Sequence, residues 1–184
     1  LGGTELCGVL YSALGKYPGP ASKESRANSV SAMQRLGDYA ADKGITVSLE
    51  VVNRYETNIM NTGLEGLAFL DQVNRSNVLL HLDTYHMNIE EDGMEKSVLA
   101  AGDRLGFVHI GESHRGYLGT GNVDFDTFFK ALKKIDYQGP ITFESFSSAV
   151  VDKALSNALC VWRNLWSDSD DLASTALKFM KERI

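Results

Sequence analysis

Four side chains able to bind a metal stand at the ends of four short apolar runs. Ile45-Thr46-Val47-Ser48-Leu49 closes on Glu50, and Val78-Leu79-Leu80-His81-Leu82 closes on Asp83. Leu105-Gly106-Phe107-Val108 closes on His109, and Ile141-Thr142-Phe143 closes on Glu144. A short apolar run ending on such a residue reads as a buried strand delivering it at its C-terminal end. Alone, each is more often a satisfied polar group at a strand end. Together, Glu50, Asp83, His109 and Glu144 point to one metal site. Three carboxylates and an imidazole, with no thiolate, suit Mn²⁺ first, with Co²⁺ or Mg²⁺ as alternatives, over a structural zinc.

The segments between these runs must place their ends side by side. Ser22 to Lys43 has a helical period, with Ala27, Val30, Met33, Leu36, Tyr39 and Ala40 on one face and Gly44 as its stop. Asn61-Thr62 can cap a second helix whose buried stripe is Leu64, Leu67, Ala68, Leu70 and Val73. An acidic loop is expected after Asp83, then a short helix within 94–105. Asp124 leads an amphipathic helix through Phe125, Phe128, Phe129, Leu132 and Ile135, and two further helices are expected over 150–166 and 171–183. Thr4 to Tyr11 supplies one more strand before them.

Strand and helix alternate, so the sheet is parallel. Period-two geometry puts Ser48 with Glu50, His81 with Asp83, Phe107 with His109 and Thr142 with Glu144, while Val47, Leu49, Leu80, Leu82, Val108, Ile110 and Phe143 share the other face. One polar face and one apolar face favour a barrel, whose helices lie only outside. No Gly-rich dinucleotide turn opens a helix. The expected fold is therefore α/β, a (β/α)8 TIM barrel. With five strands, no initial Met and a full barrel near 250 residues, residues 1–184 read as one domain covering about the fourth strand to the C-terminal helices.

Composition narrows the partners. A formal net charge of −6 over 184 residues argues against a nucleic-acid surface, and no apolar run reaches the ~18 to 20 residues of a bilayer helix. A small neutral or metal-held substrate fits this balance. Cys7 and Cys160 match no metal or redox spacing and read as buried thiols, not a disulfide, with a cytoplasmic location as the default.

The segments Glu50-Val51-Val52-Asn53-Arg54-Tyr55-Glu56, Leu82-Asp83-Thr84-Tyr85-His86-Met87-Asn88-Ile89-Glu90-Glu91, His109-Ile110-Gly111-Glu112 and Phe143-Glu144-Ser145-Phe146 resemble the signatures of the D-tagatose 3-epimerase and D-psicose (allulose) 3-epimerase family. That family builds on the xylose-isomerase-like TIM barrel. The resemblance runs from about Cys7 to Phe146 and is weakest in 6–20 and 114–121. It implies metal binding by Glu50, Asp83, His109 and Glu144, with Glu50 and Glu144 also the catalytic pair. It further implies sugar-oxygen contacts from Glu56, His86 and Arg115, and a pocket wall from Phe146.

Inverting C3 of a 2-ketose needs a base on one face and an acid on the other, with the enediolate between them stabilised by a Lewis acid. An aldose–ketose or hydroxypyruvate isomerase would use the same groups, and product analysis separates the two. An abasic-site endonuclease of the related zinc barrels would need more ligands and a basic face; only four His are present. His114-Arg115-Gly116-Tyr117-Leu118-Gly119-Thr120-Gly121 could cradle a phosphate through its N–H groups or be a flexible lead into the next helix. A truncated, non-catalytic partial barrel also remains, as does a homo-oligomer, dimer or tetramer.

Overall fold

The computed structural model describes residues 2–184. Its sheet has five parallel strands in chain order: β1 (Glu5–Gly8), β2 (Thr46–Glu50), β3 (Val78–Asp83), β4 (Leu105–Ile110) and β5 (Ile141–Phe143). Each crossover steps to the neighbouring place without reversing, which is the wall of a barrel and not a doubly wound sheet. Described residues thus form a five-stranded partial TIM barrel. Register puts Glu50 beside His81 and Asp83 beside His109. The Glu144 N–H donates to the Ile110 carbonyl at 3.0 Å, carrying the ladder one residue past β5.

The helices are α1 (Lys23–Ala41), α2 (Gly63–Val73), α3 (Thr84–Glu90), α4 (Lys96–Ala101), α5 (Phe125–Lys134), α6 (Lys153–Ala158) and α7 (Ser169–Lys181). Val47, Leu49, Leu80, Leu82, Val108 and Ile110 are wholly buried on the face turned to them. Gly66 brings α2 close: a Cβ there would lie 2.5 Å from Leu80 Cδ1 and 3.0 Å from Val51 Cγ2. Thr62 and Glu65 start α2 with a capping box, satisfying N–H groups that have no partner within the helix. In α5, Phe125, Phe128, Phe129 and Leu132 are buried, each burial contributing roughly 1.5–3 kcal/mol.

Several local expectations need correction. Tyr39 and Leu64 are exposed, because α1 and α2 bury narrower stripes centred on Val30, Met33 and Ala40 and on Leu67, Leu70 and Val73. The expected acidic loop is instead α3: the Asp83 side chain accepts the Tyr85 N–H at 2.8 Å and caps it. Of 150–166 only α6 is helical. The Ser147 hydroxyl, buried between that segment and β5, accepts the N–H groups of Leu165 and Trp166 and so holds an irregular path. β1 is half the expected length.

Candidate metal centre

Glu50, Asp83, His109 and Glu144 converge at the C-terminal end of the sheet, each offering one ligand atom, all within 4.8 Å of one another. Two atoms bound to one ion at about 2.0–2.6 Å lie at most about 5 Å apart, so the set is compatible with a single ion. His109 Nδ1 lies 3.5 Å from Glu50 Oε1 and 3.8 Å from Glu144 Oε1, so the two carboxylates face a common point. That nitrogen is buried without a hydrogen-bond partner among the described residues.

Arg115 enters the same point from the loop after β4. Its Nη1 donates to Asp83 Oδ2 at 3.0 Å and to Glu144 Oε2 at 2.8 Å. Its guanidinium is packed against the rings of Tyr85 (3.7 Å) and Phe146 (5.4 Å), which places Phe146 beside Arg115. Gly111 permits this approach, since a Cβ there would stand 2.9 Å from Arg115 Nη1. With all three carboxylates ionised, the centre carries three negative charges against one guanidinium. The remainder of two matches a divalent cation, and the residues fit such an ion in donor chemistry, spacing and charge.

Burial works against the Asp83 charge, but Arg115, His86 and the Tyr85 N–H outweigh it and hold this carboxyl below its ordinary range. Glu144, less completely paired, is pushed up to about 7 by burial, opposed by Arg115 and assisted by Asp83 and Glu50. For His109, burial is outweighed by Glu50 and Glu144, which raise its pKa.

His86 sits on the first turn of α3, and burial lowers its pKa to about 4. Its Nδ1 accepts the backbone N–H of Asn53 at 3.1 Å, so the neutral ring carries its hydrogen on Nε2. Nε2 lies 3.8 Å from Asp83 Oδ2 and 3.9 Å from Glu50 Oε1, aimed at the centre. Glu56 stands farther out, half-buried, and accepts from the Asn53 side chain at 2.8 Å. A cleft of about 340 Å³ bordered by Tyr85, His114, Arg115, Cys160 and Trp162 adjoins Arg115.

Two residues at the site were given no role from sequence. His81 is wholly buried beneath the centre, 3.9 Å from Glu50 Oε2 and edge-on to His109, with neither ring nitrogen hydrogen-bonded among the described residues. Its period-two partnership with Asp83 was the available signal. Glu112 accepts three backbone N–H groups of its own loop, from Ser113, Gly119 and Val123. Of these only the Gly119 N–H belongs to the segment 114–121 read as a possible phosphate cradle, and a carboxylate of the chain already takes it.

A sequence profile described as "Xylose isomerase-like TIM barrel" matches residues 3–183. The chain belongs to that family. It is 82% identical to an L-ribulose 3-epimerase of Methylomonas sp. (strain DH-1) and 58% identical to a ketose 3-epimerase of Arthrobacter globiformis, in each case over 100% of this chain and 64% of the relative. A crystal structure of D-allulose 3-epimerase from Methylomonas sp. in complex with D-allulose superposes with a TM-score of 0.98 at 81% identity, over 100% of this chain and 64% of that one. The chain therefore spans 64% of the length of these relatives. Among the described residues no helix is long and apolar enough to cross a membrane; Cys7 and Cys160 are free thiols, but Cys7 is half-buried and Cys160 exposed, so neither is the buried thiol expected from the sequence.

Proposed function

We propose that this chain carries the catalytic wall of a metal-dependent ketose 3-epimerase, inverting C3 of an unphosphorylated ketose of the L-ribulose, D-psicose (D-allulose), D-tagatose or D-fructose type. The observation that carries this reading is the pair Glu50 and Glu144, two carboxylates on β2 and beyond β5 facing one point past His109 Nδ1. A ketose lying over that point presents opposite faces of C3 to the two. One carboxylate takes the C3 proton and the other returns a proton to the opposite face, with an enediolate of the sugar between the steps. A divalent ion held by Glu50, Asp83, His109 and Glu144, Mn²⁺ first with Co²⁺ or Mg²⁺ as alternatives, would supply Lewis-acid stabilisation of the charge that develops on the ketose oxygens.

The remaining side chains hold the sugar. The His86 Nε2–H and the Arg115 guanidinium donate to its oxygens, Glu56 accepts from a hydroxyl, and Phe146 lines the pocket against its far end. The relatives' names support the substrate class. A homo-oligomer, dimer or tetramer, is supported by Val150, Leu155 and Trp162, exposed in one segment; a cytoplasmic location is supported by the two free thiols.

The test follows exchange of the ketose C3 proton in D₂O by NMR, using the full-length protein with Mn²⁺ or with chelator, on L-ribulose, D-allulose, D-tagatose and D-fructose. Expected is C3 exchange with inversion, dependent on the ion and lost in Glu50→Gln and Glu144→Gln. A carbonyl that moves between C2 and C1 would establish an isomerase instead, and no C3 exchange from the Mn²⁺ form would sink the epimerase reading.

A further inference from the structure

The loop 113–123 has no regular secondary structure, yet it delivers Arg115 to the centre. One side chain ties its beginning, middle and end together. Glu112 is wholly buried, and its Oε1 accepts the N–H groups of Ser113 at 2.8 Å and Val123 at 3.2 Å while Oε2 accepts that of Gly119 at 2.9 Å. The Gly121 N–H is directed at it as well. Converging backbone N–H groups of this kind form an anion-binding nest. Here they tie the first, middle and last parts of the loop to a single carboxylate.

Two glycines shape the enclosure. A Cβ on Gly121 would collide with Glu112 Oε1 and Ser113 Oγ, and Gly119 has φ +79° with the Phe179 ring 2.9 Å from where its Cβ would stand. Arg115 itself has φ +64°, a left-handed conformation unfavourable for a non-glycine residue and kept only where the surroundings impose it. Its N–H donates to the Glu112 carbonyl at 2.8 Å, and its carbonyl accepts the Phe146 N–H at 3.1 Å and the Ser145 hydroxyl. The strained residue is pinned on both sides, one of them by the residue whose side chain closes the loop.

We propose that Glu112 is the positioning residue for Arg115: an internal anion seated in the loop's N–H nest that holds the guanidinium against Asp83 and Glu144. Removing the carboxylate, while keeping Cβ, opens a buried site for a small carboxylate. The atoms lost in Glu112→Ala correspond to acetate. The proposal rests on the epimerase reading only for its kinetic arm.

The experiment compares the full-length protein with Glu112→Ala and Glu112→Gln, titrating each with sodium acetate against sodium chloride of equal ionic strength. In Glu112→Ala, kcat/KM for the ketose should fall about tenfold or more, the loss of one charge-assisted hydrogen bond from a displaced guanidinium. Acetate should restore both kcat/KM and Tm along a saturation curve. Neither the parent nor Glu112→Gln should respond, because in both the space is filled. Gly121→Ala, which pushes on the same carboxylate, serves if Glu112→Ala does not fold, and should lower kcat/KM without acetate rescue. If no ketose is turned over by the parent, the acetate-specific Tm rise in Glu112→Ala still decides. A folded Glu112→Ala whose Tm ignores acetate, or whose kcat/KM equals the parent's, overturns the proposal.

Discussion

Replacing Arg115 by Met should turn a protein that tolerates loss of its ion into one that depends on it. Met fills much of the slot between Tyr85 and Phe146 but returns no charge. The hydrogen bonds to Asp83 at 3.0 Å and Glu144 at 2.8 Å disappear, each of a kind that contributes about 1.5–3 kcal/mol. Asp83, with no exposed surface, loses its principal counter-charge, and breaking a buried pair from one side costs about 3–5 kcal/mol. For a chain of this size each kcal/mol shifts Tm by about 2–4 °C, so the metal-free Tm should drop by roughly 6–20 °C. The same change raises the centre's uncompensated charge from two to three and frees one oxygen each of Asp83 and Glu144. Mn²⁺ should therefore bind Arg115→Met more tightly and raise its Tm by more than it raises the parent's. Thermal denaturation of both proteins, chelated and across a Mn²⁺ titration, measures both effects. A metal-free Tm within 2 °C of the parent (about 1 kcal/mol), or an equal Mn²⁺-induced rise in the two proteins, would refute the reasoning.

Gly111→Ala places a methyl 2.9 Å from Arg115 Nη1 and 3.3 Å from the rigid Glu144 carbonyl; the guanidinium must yield, and steady-state kinetics should show kcat/KM down about tenfold or more, with the metal-free Tm lowered in the same direction as in Arg115→Met. Glu90 takes a forked pair from Arg54, 2.7 Å at Nη2, and a 2.7 Å bond from the Arg54 N–H. Burial opposes the Glu90 charge but these bonds outweigh it, so its pKa is lowered in the folded chain. Its stabilisation is then present above the unfolded carboxyl's pKa of about 4.3 and is lost as pH falls through the lower folded value; urea titrations from pH 6 to 2 should show a shallower acid loss in Glu90→Gln than in the parent. Phe128→Ala empties a fully buried position under α5 and should cost about 3–5 kcal/mol by chemical denaturation, with the metal site's affinity preserved.

The candidate ligands were legible because each stands where a period-two apolar run stops, and that pattern depends only on neighbours along the chain. The same period assigned Ser48, His81 and Phe107 to the interior face, as the register finds. It failed where a partner distant in sequence decides the outcome. Thr84–Glu90 read as an acidic loop because Glu90 and Glu91 look solvated; in the fold, Glu90 is claimed by Arg54 and Glu91 by the Gly63 N–H and the Ser97 hydroxyl, so the helix capped by Asp83 survives. Apolar spacing over 150–166 suggested a continuous helix, whereas Ser147 draws Leu165 and Trp166 back towards β5 and Cys160 adopts φ +56°. Glu112 was part of a recognised segment, yet nothing local indicates that a carboxylate will turn into its own loop.

That failure has a physical reading of its own. A Gly-x-Gly loop after a strand is ambiguous in sequence, since its N–H groups can hold a ligand's phosphate or an anion the chain supplies. The choice is made by the second residue after β4: Glu112 fills the nest, and Gly121 exists as glycine to let it in. Once filled, the nest serves Arg115, and Arg115 in turn offsets one of the three carboxylates supplied by β2, β3 and the end of β5. Every donor and acceptor in this chain of dependence, from the Gly119 N–H through Glu112 and Arg115 to Asp83 and Glu144, lies within the five described strands and their loops. A centre assembled so locally should keep its affinity for a divalent ion when contacts elsewhere on the barrel are weakened, and gain affinity, as in Arg115→Met, when a change at Glu112 or Gly121 draws the guanidinium away from Asp83 and Glu144.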